Sequence, residues 1–540
     1  MAQPNHAIWP LYISDLDVSG AELRCCQLAQ ISFSVLVAQK YDSKKGACIC
    51  ENMFRNLAMT RSIIPVAFAF AQIIVGATYA DTVPEKLNIK SHFTLKISDP
   101  IPTEYVFTKG SNKPKFDPWG VPLFTVSDLD NDGCDDVVLD WTDSLTPIQV
   151  FYGNSDGAVK RADVFEQKYN VRTVRQFEFA DLNEDGVQDI VGFTSPHGWK
   201  ESELGIAWDA DEPEFIALSR GKRSYKVLNS SYETYSHTGL LGDVDNDGIT
   251  EIIQITEDPA KGTEIKIIDE LKFITTGKTS INRSNHVIFD AEVGDLNNDG
   301  LLDTVITLSK SHKQHPVVTP EDANKIGTIA IYMGRPKTEL NKIQPMVLGR
   351  HWMDQQAWRQ YLSTKSAEAQ TQAYAGTSNV ELLDLDHDGD LEILVGYFVQ
   401  ANSSWTTSGM QIFENDNGKF FDATLKFLPE QPANRNLSQP TDLLYDASLA
   451  DLNNDGKKDL ILALRSIDSM TDPHYSSVFY LFKDGKYVPV LNDESLLADA
   501  LKMQLIQSGD VNCDGKQDLI GLFAGIPDKE NHYLKTLIAN

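Results

Sequence analysis

Positive charge is what this 540-residue sequence lacks. Its 48 lysines and arginines face 77 aspartates and glutamates, leaving a formal charge of -29. A surface that binds nucleic acid must offer basic residues to phosphates, so nucleic acid is excluded as a partner. Long apolar runs are scarce too, and the one at residues 63–75 is too short for a comfortable membrane span. Cysteine is sparse. Four of the six (Cys25, Cys26, Cys48 and Cys50) fall in the first fifty residues, with no zinc-type spacing among them. Apolar residues make up 41% of the chain, enough for a packed core and too many for wholesale disorder.

The short apolar run marks a processing segment. Residues 59–80, "MTRSIIPVAFAFAQIIVGATYA", place a basic Arg61 before the apolar stretch and small residues after it, with cleavage expected after Ala77 or Ala80. This reads as a secretory signal, an internal anchor helix being the alternative. Residues 1–58 then form a leader of doubtful status, because such signals begin a chain; Met53 and Met59 are alternative starts. The expected location is extracellular or periplasmic, with residues 81–540 as the mature chain and no membrane span within it.

Acid is what the chain has in abundance, and it is concentrated. "DLDNDGCDD" (128–136) holds five aspartates in nine residues, and its pattern recurs as "DLNEDGVQD", "DVDNDGITE", "DLNNDGLLD", "DLDHDGDLE", "DLNNDGKKD" and "DVNCDGKQD". Repetition on this scale decides the architecture. Position 1 is Asp128, Asp181, Asp243, Asp295, Asp384, Asp451 or Asp510. Position 3 is Asp130, Asn183, Asp245, Asn297, Asp386, Asn453 or Asn512. Position 5 is Asp132, Asp185, Asp247, Asp299, Asp388, Asp455 or Asp514. Position 9 is Asp136, Asp189, Glu251, Asp303, Glu392, Asp459 or Asp518.

Oxygen-bearing side chains at alternate positions, followed by a glycine that permits a sharp turn, form the first half of a calcium loop. All twenty-eight residues are therefore candidate metal ligands, and up to seven Ca2+ ions are expected. Such ions would neutralise about half of the net charge. Magnesium demands a tighter octahedral cage. Zinc is disfavoured because no His or Cys recurs at a ligand position; His387 and Cys513 stand at position 4, which faces away from the ion.

The residues after each loop are apolar, as in "DVVL", "EIIQ" and "DLIL", and those before it read as short strands. Each loop is thus the turn of a β-hairpin. Loops begin 53, 62, 52, 89, 67 and 59 residues apart, room for one four-stranded unit each. Third strands are expected at "IQVFYG", "EIKIID", "TIAIYMG", "MQIFEN" and "SVFYLF", and fourth strands at "KFITTG" and "KYVPVL". After the last loop only two strands remain, while residues 92–108 carry strand-like runs. The expected fold is all-β: a seven-bladed β-propeller with calcium-binding hairpin loops, its ring closed by the N-terminal strand. An open solenoid is the alternative. In a closed ring Cys134 and Cys513 would be neighbours, yet disulfide geometry is demanding, and two independent thiols are the expectation.

The seven loops with their apolar strands, together with "VFYGNSDG" and "IFENDNGKF", resemble the FG-GAP/VCBS repeat family, to which the integrin α-subunit propellers belong. The resemblance spans about residues 88–540. The Phe-Gly and Gly-Ala-Pro flanks are largely lost, so the chain is closer to bacterial VCBS-type proteins than to integrins. The resemblance implies a seven-bladed, calcium-bound propeller that binds something; it does not identify the ligand.

Connections on the side opposite the calcium loops are long and aromatic-rich. Candidates for a ligand face are Trp141, His197, Trp199, Trp405, His474 and Tyr475, and residues 351–373 read as a helix on that face. The alternative is that these side chains merely cover the blade cores. The functional expectation is a secreted or cell-surface adhesion or binding module for carbohydrate or protein. A lyase-like polysaccharide-active enzyme and a purely structural module are the alternatives. No catalytic residue is marked by spacing.

Overall fold

The computed structural model describes residues 92–98, 122–141, 148–166, 174–194, 212–228, 233–234, 238–244, 246–258, 262–269, 274–279, 286–310, 329–335, 343, 345–349, 374–401, 404–428, 443–465, 475–490, 505–523 and 533–540. The chain divides into units Met1–Thr82 and Val83–Asn540, and every described residue belongs to the second. The leader and the signal segment thus lie outside the described residues. Among those described, no helix is long and apolar enough to cross a membrane.

The described residues form a β-propeller of four-stranded antiparallel sheets. Six sheets are built from strands in chain order. Sheet 1 runs Pro122–Ser127, Asp136–Trp141, Gln149–Tyr152 and Lys160–Ala162. Sheet 2 begins with Val174–Ala180 and Asp189–Thr194, sheet 3 with Thr238–Gly242 and Glu251–Asp258, and sheet 4 with Ala291–Gly294 and Asp303–Thr307. Sheet 5 begins with Tyr374–Leu383 and Glu392–Ala401, and sheet 6 with Leu443–Ala450 and Asp459–Arg465. The expected third and fourth strands are present, among them Ser404–Asp416, Tyr475–Lys483, Ile274–Thr279 and Lys486–Pro489. A seventh sheet is composite. Leu505–Gly509, Asp518–Phe523 and Tyr533–Ala539 are joined at the outer edge by Phe93–Ile97, which pairs antiparallel with the last strand from Phe93↔Ala539 to Ile97↔Lys535.

Apolar content follows distance from the rim. "DIVGFT", "DTVIT" and "IAIY" are buried along their whole length, because a middle strand is packed on both faces by neighbouring sheets. Fourth strands such as Lys160–Ala162 and Lys419–Asp422 face outward and are polar or half exposed. Cores form between consecutive sheets. Leu129, Val138 and Val150 of sheet 1 meet Phe177, Ile190 and Phe215 of sheet 2. Val511, Ile520 and Leu534 of sheet 7 meet Phe124, Val137 and Phe151 of sheet 1. The first strands lie side by side, that of sheet 7 beside that of sheet 1.

Cys134 and Cys513 are not independent thiols; they form a disulfide, with their Cα atoms 4.5 Å apart. The backbone meets the geometric demand because Asp135 N donates to Asp510 O at 2.8 Å, and Asn154 N to Val511 O at 2.8 Å, which hold the two loops side by side. The same approach requires Gly153: a Cβ there would meet the carbonyl oxygen of Asp135 and, at 2.7 Å, that of Val511.

Candidate metal centres

Each nine-residue loop joins the first and second strands of a sheet, and its backbone is drawn inward by its own carboxylates. The position 1 aspartate accepts two amides: Asp128 takes Asp132 N and Gly133 N at 3.1 and 3.0 Å, and Asp510 takes Asp514 N and Gly515 N at 3.0 and 2.7 Å. The position 5 aspartate accepts the amide two residues on, as Cys134 N donates to Asp132 at 3.0 Å and Leu301 N to Asp299 at 2.9 Å. Position 2 is a buried anchor, Leu129, Leu296, Leu385 and Leu452 being fully enclosed.

Position 4 has left-handed backbone in every copy, with φ between 52° at Asn131 and 64° at His387. Asparagine tolerates that region better than most residues, which explains its presence at Asn131, Asn246, Asn298 and Asn454. This signal stands in the sequence. The turn also sends position 4 away from the acids: the His387 ring packs edge-on against Phe482, and Cys513 enters the disulfide.

Position 9 has a second task that spacing did not suggest. Where position 9 is aspartate, one oxygen accepts the position 2 amide and the other accepts an amide at or just beyond the end of the third strand. Asp459 takes Leu452 N and Phe482 N at 2.9 and 2.8 Å, and Asp303 takes Leu296 N and Gly334 N at 2.8 and 2.6 Å. It therefore clasps the loop to the sheet, and each oxygen keeps a lone pair for a cation. Burial pushes these carboxyls up, Asp136 and Glu392 to about 8, Asp459 and Asp518 to about 7, and Asp189 to about 6. A cation between the acids would reverse that shift.

Among the described residues, three acidic side chains converge in each of three loops. Asp128, Asp130 and Asp136 bring one oxygen each within 4.8 Å of one another, as do Asp243, Asp247 and Glu251, and Asp384, Asp386 and Glu392. Asp130 Oδ1 and Glu392 Oε1 belong to residues at most 1% exposed, yet neither has a hydrogen-bond partner. Buried carboxylate oxygens without a donor are costly and fit a hard cation that takes oxygen ligands. The donor set therefore fits calcium. Asp132, Cys134 and Cys513 also lie close, but both sulfurs are spent in the disulfide and offer no thiolate. Asp245 lies outside the described residues.

A second acidic group was not foreseen. Glu178, Glu292, Glu381 and Asp446 stand on the first strands of sheets 2, 4, 5 and 6, and Asp290 immediately precedes that of sheet 4. Burial, then mutual repulsion, raises the Glu292 and Glu381 carboxyls well above their ordinary range. Neutral amides support the others: Gln176 donates to Glu178 at 2.7 Å and Gln507 to Asp446 at 2.5 Å. Alternate polar positions in "QFEFA" and "NVELL" are the trace of this group in the sequence.

The ligand-face candidates are only partly placed. Trp141 ends the second strand of sheet 1, Trp405 lies in Ser404–Asp416, and Tyr475 opens Tyr475–Lys483. His197, Trp199, His474 and the expected helix at 351–373 lie outside the described residues.

Comparison with known proteins bears on this arrangement at one place directly. Residues 384–462, from the fifth loop into the second strand of sheet 6, match the FG-GAP-like repeat. No curated protein sequence matches the chain. Solved structures that are similar include the polysaccharide lyase Uly1, at 10% identity and a TM-score of 0.40, covering 85% of this chain and 98% of that one. A putative exo-β-1,3-galactanase from Bifidobacterium bifidum s17 gives 10% identity and a TM-score of 0.30, over 55% of this chain and 89% of that one. Extracellular domains 1-2 of Drosophila Semaphorin 1b give 9% and 0.35, over 77% and 85%.

Proposed function

Taking as premise an FG-GAP-type repeat propeller, we propose that the chain is a secreted or cell-surface ligand-binding module. In this reading, calcium ions hold its loops, and its seven sheets form one ring clasped by the N-terminal strand. The observation that carries it is the repeated loop, in which buried carboxylate oxygens such as Asp130 Oδ1 and Glu392 Oε1 converge without a donor. Calcium supplies charge neutralisation there, and its role is structural. Asp128, Asp130, Asp132 and Asp136 would hold one ion, and the corresponding residues of the other six loops the rest. The disulfide supports an oxidising, extracytoplasmic location, where such bonds persist.

With the loops of one side committed to metal, the opposite side is left for the ligand, a carbohydrate or an extracellular protein. Trp141, Trp405 and Tyr475, at strand ends away from the loops, are the proposed ligand-face candidates among the described residues. The test is a screen of glycans and uronic-acid polymers, with calcium and with excess chelator, and with product absorbance followed. Calcium-dependent retention of a glycan without absorbance change supports the binding module. Unsaturated product would replace it with a lyase, and no retention of any glycan would move the search to protein ligands.

A further inference from the structure

The loops differ at position 3, and the difference is matched by residues elsewhere in the fold. Where position 3 is asparagine, its amide nitrogen donates within the site. Asn297 reaches Asp299 at 2.9 Å, and Asn453 and Asn512 reach Asp455 and Asp514 at 3.1 Å. An aspartate at position 3 brings a fourth carboxylate and no donor. In the first loop a neighbouring sheet supplies what is missing. Arg223, in the turn between the third and fourth strands of sheet 2, donates from Nε to Asp130 Oδ2 at 2.7 Å and from Nη2 to Asp132 Oδ2 at 3.1 Å. Its guanidinium lies over the Tyr152 ring, 4.3 Å from the centroid. In the fifth loop Lys426 Nζ donates to Asp386 Oδ2 at 3.2 Å and to Glu414 at 2.6 Å.

We propose that Arg223 and Lys426 are resident counter-cations of the first and fifth loops, standing in for the asparagine amide, and that Arg223 sets the calcium affinity of the first loop. Arg223 has the firmer geometry. It spans positions 3 and 5, as the asparagine amide does in the fourth, sixth and seventh loops, whereas Asn183 donates to Asp189 and Ser219; a guanidinium keeps its charge at every working pH. Asp130 is 1% exposed, so losing Arg223 leaves a buried carboxylate with neither cation nor donor. With Arg223 present, the first loop keeps its shape without metal, while the positive charge beside the acids opposes a divalent ion. The affinity half rests on the reading of the loops as calcium sites; the donor half does not.

The experiment uses the full chain and the variants Arg223→Met, Asp130→Asn and the two combined. Each is melted in excess chelator and titrated with calcium by calorimetry. Arg223→Met is expected to melt several degrees lower in chelator and to bind calcium at one site about tenfold tighter, the order expected when one charge leaves the side of a divalent ion. Adding Asp130→Asn should restore the melt in chelator, because the new amide can donate to Asp132. Should Arg223→Met fail to fold, Arg223→Lys, which keeps the charge and loses the two-point donation, is expected to melt below the wild type in chelator, and a melt equal to that of the wild type overturns the proposal. An unchanged melt in chelator, or no rescue by Asp130→Asn, overturns the proposal. If the wild type binds no calcium, the calcium reading falls, and the rescue in chelator still decides the role of Arg223.

Discussion

Cys134 in the first loop and Cys513 in the last are covalently joined across 379 residues of chain. The bridge lies where sheet 7 meets sheet 1, beside the paired backbones of Asp135 and Asp510. A cross-link that closes so long a segment restricts the unfolded chain more than a short one would.

Reducing this bond, or replacing both cysteines by serine, should cost stability near the upper end of the usual range, about 2–5 kcal/mol. Denaturant melts with and without reductant measure it. A midpoint indifferent to reduction would show that the seam is held by its other contacts.

Calcium removal should act on all loops at once. A site of about 0.1 mM affinity at millimolar calcium contributes roughly 1.4 kcal/mol. Seven would approach roughly 10 kcal/mol, comparable with the stability of a whole domain. Excess chelator should therefore lower the melting temperature by many degrees, and elemental analysis should find several calcium ions per chain before treatment and none after.

Asp299→Ala removes the acceptor of Leu301 N and of the Asn297 amide. Its cost should be about 1–3 kcal/mol, confined to sheet 4 and its neighbours because contacts in repeat folds are mostly between adjacent units. Hydrogen exchange should report faster amides in residues 291–307 and no change in sheet 7.

Gly153→Ala should destabilise by about 1–3 kcal/mol, since the added Cβ has backbone carbonyls, not flexible side chains, in its way. A thermal melt equal to that of the wild type would mean that the seam shifts freely.

The acids of the first strands give a pH dependence of definite sign. Asp446, Asp290 and Glu178 are raised to about 6, 7 and 8, above their unfolded values near 4, mainly by burial. The folded chain therefore holds more protons than the unfolded one between about pH 4 and 8. Stability is greatest below that window and is lost as pH rises through it. In saturating calcium, which on the proposed reading would fix the loop acids, Glu292→Gln should flatten this fall, because it removes a carboxyl that stays protonated in the fold after its unfolded counterpart has ionised. An unaltered slope in melts from pH 5 to 8 would count against the cluster.

The sequence by itself determined the unit. Alternate oxygens and a glycine at position 6 dictate a tight acidic turn, and the apolar residues that follow dictate a strand buried on both faces, because these are local consequences of backbone sterics and hydrophobicity. Tertiary structure alone decided which units touch. It made a disulfide of two cysteines expected to be independent, gave the position 9 acid its bond to the third strand, and gathered carboxylates from four sheets into one group. It also set Arg223 against Asp130, a pair 93 residues apart that no local pattern relates. Such contacts depend on how sheets pack around one another, and that packing is written in no single repeat.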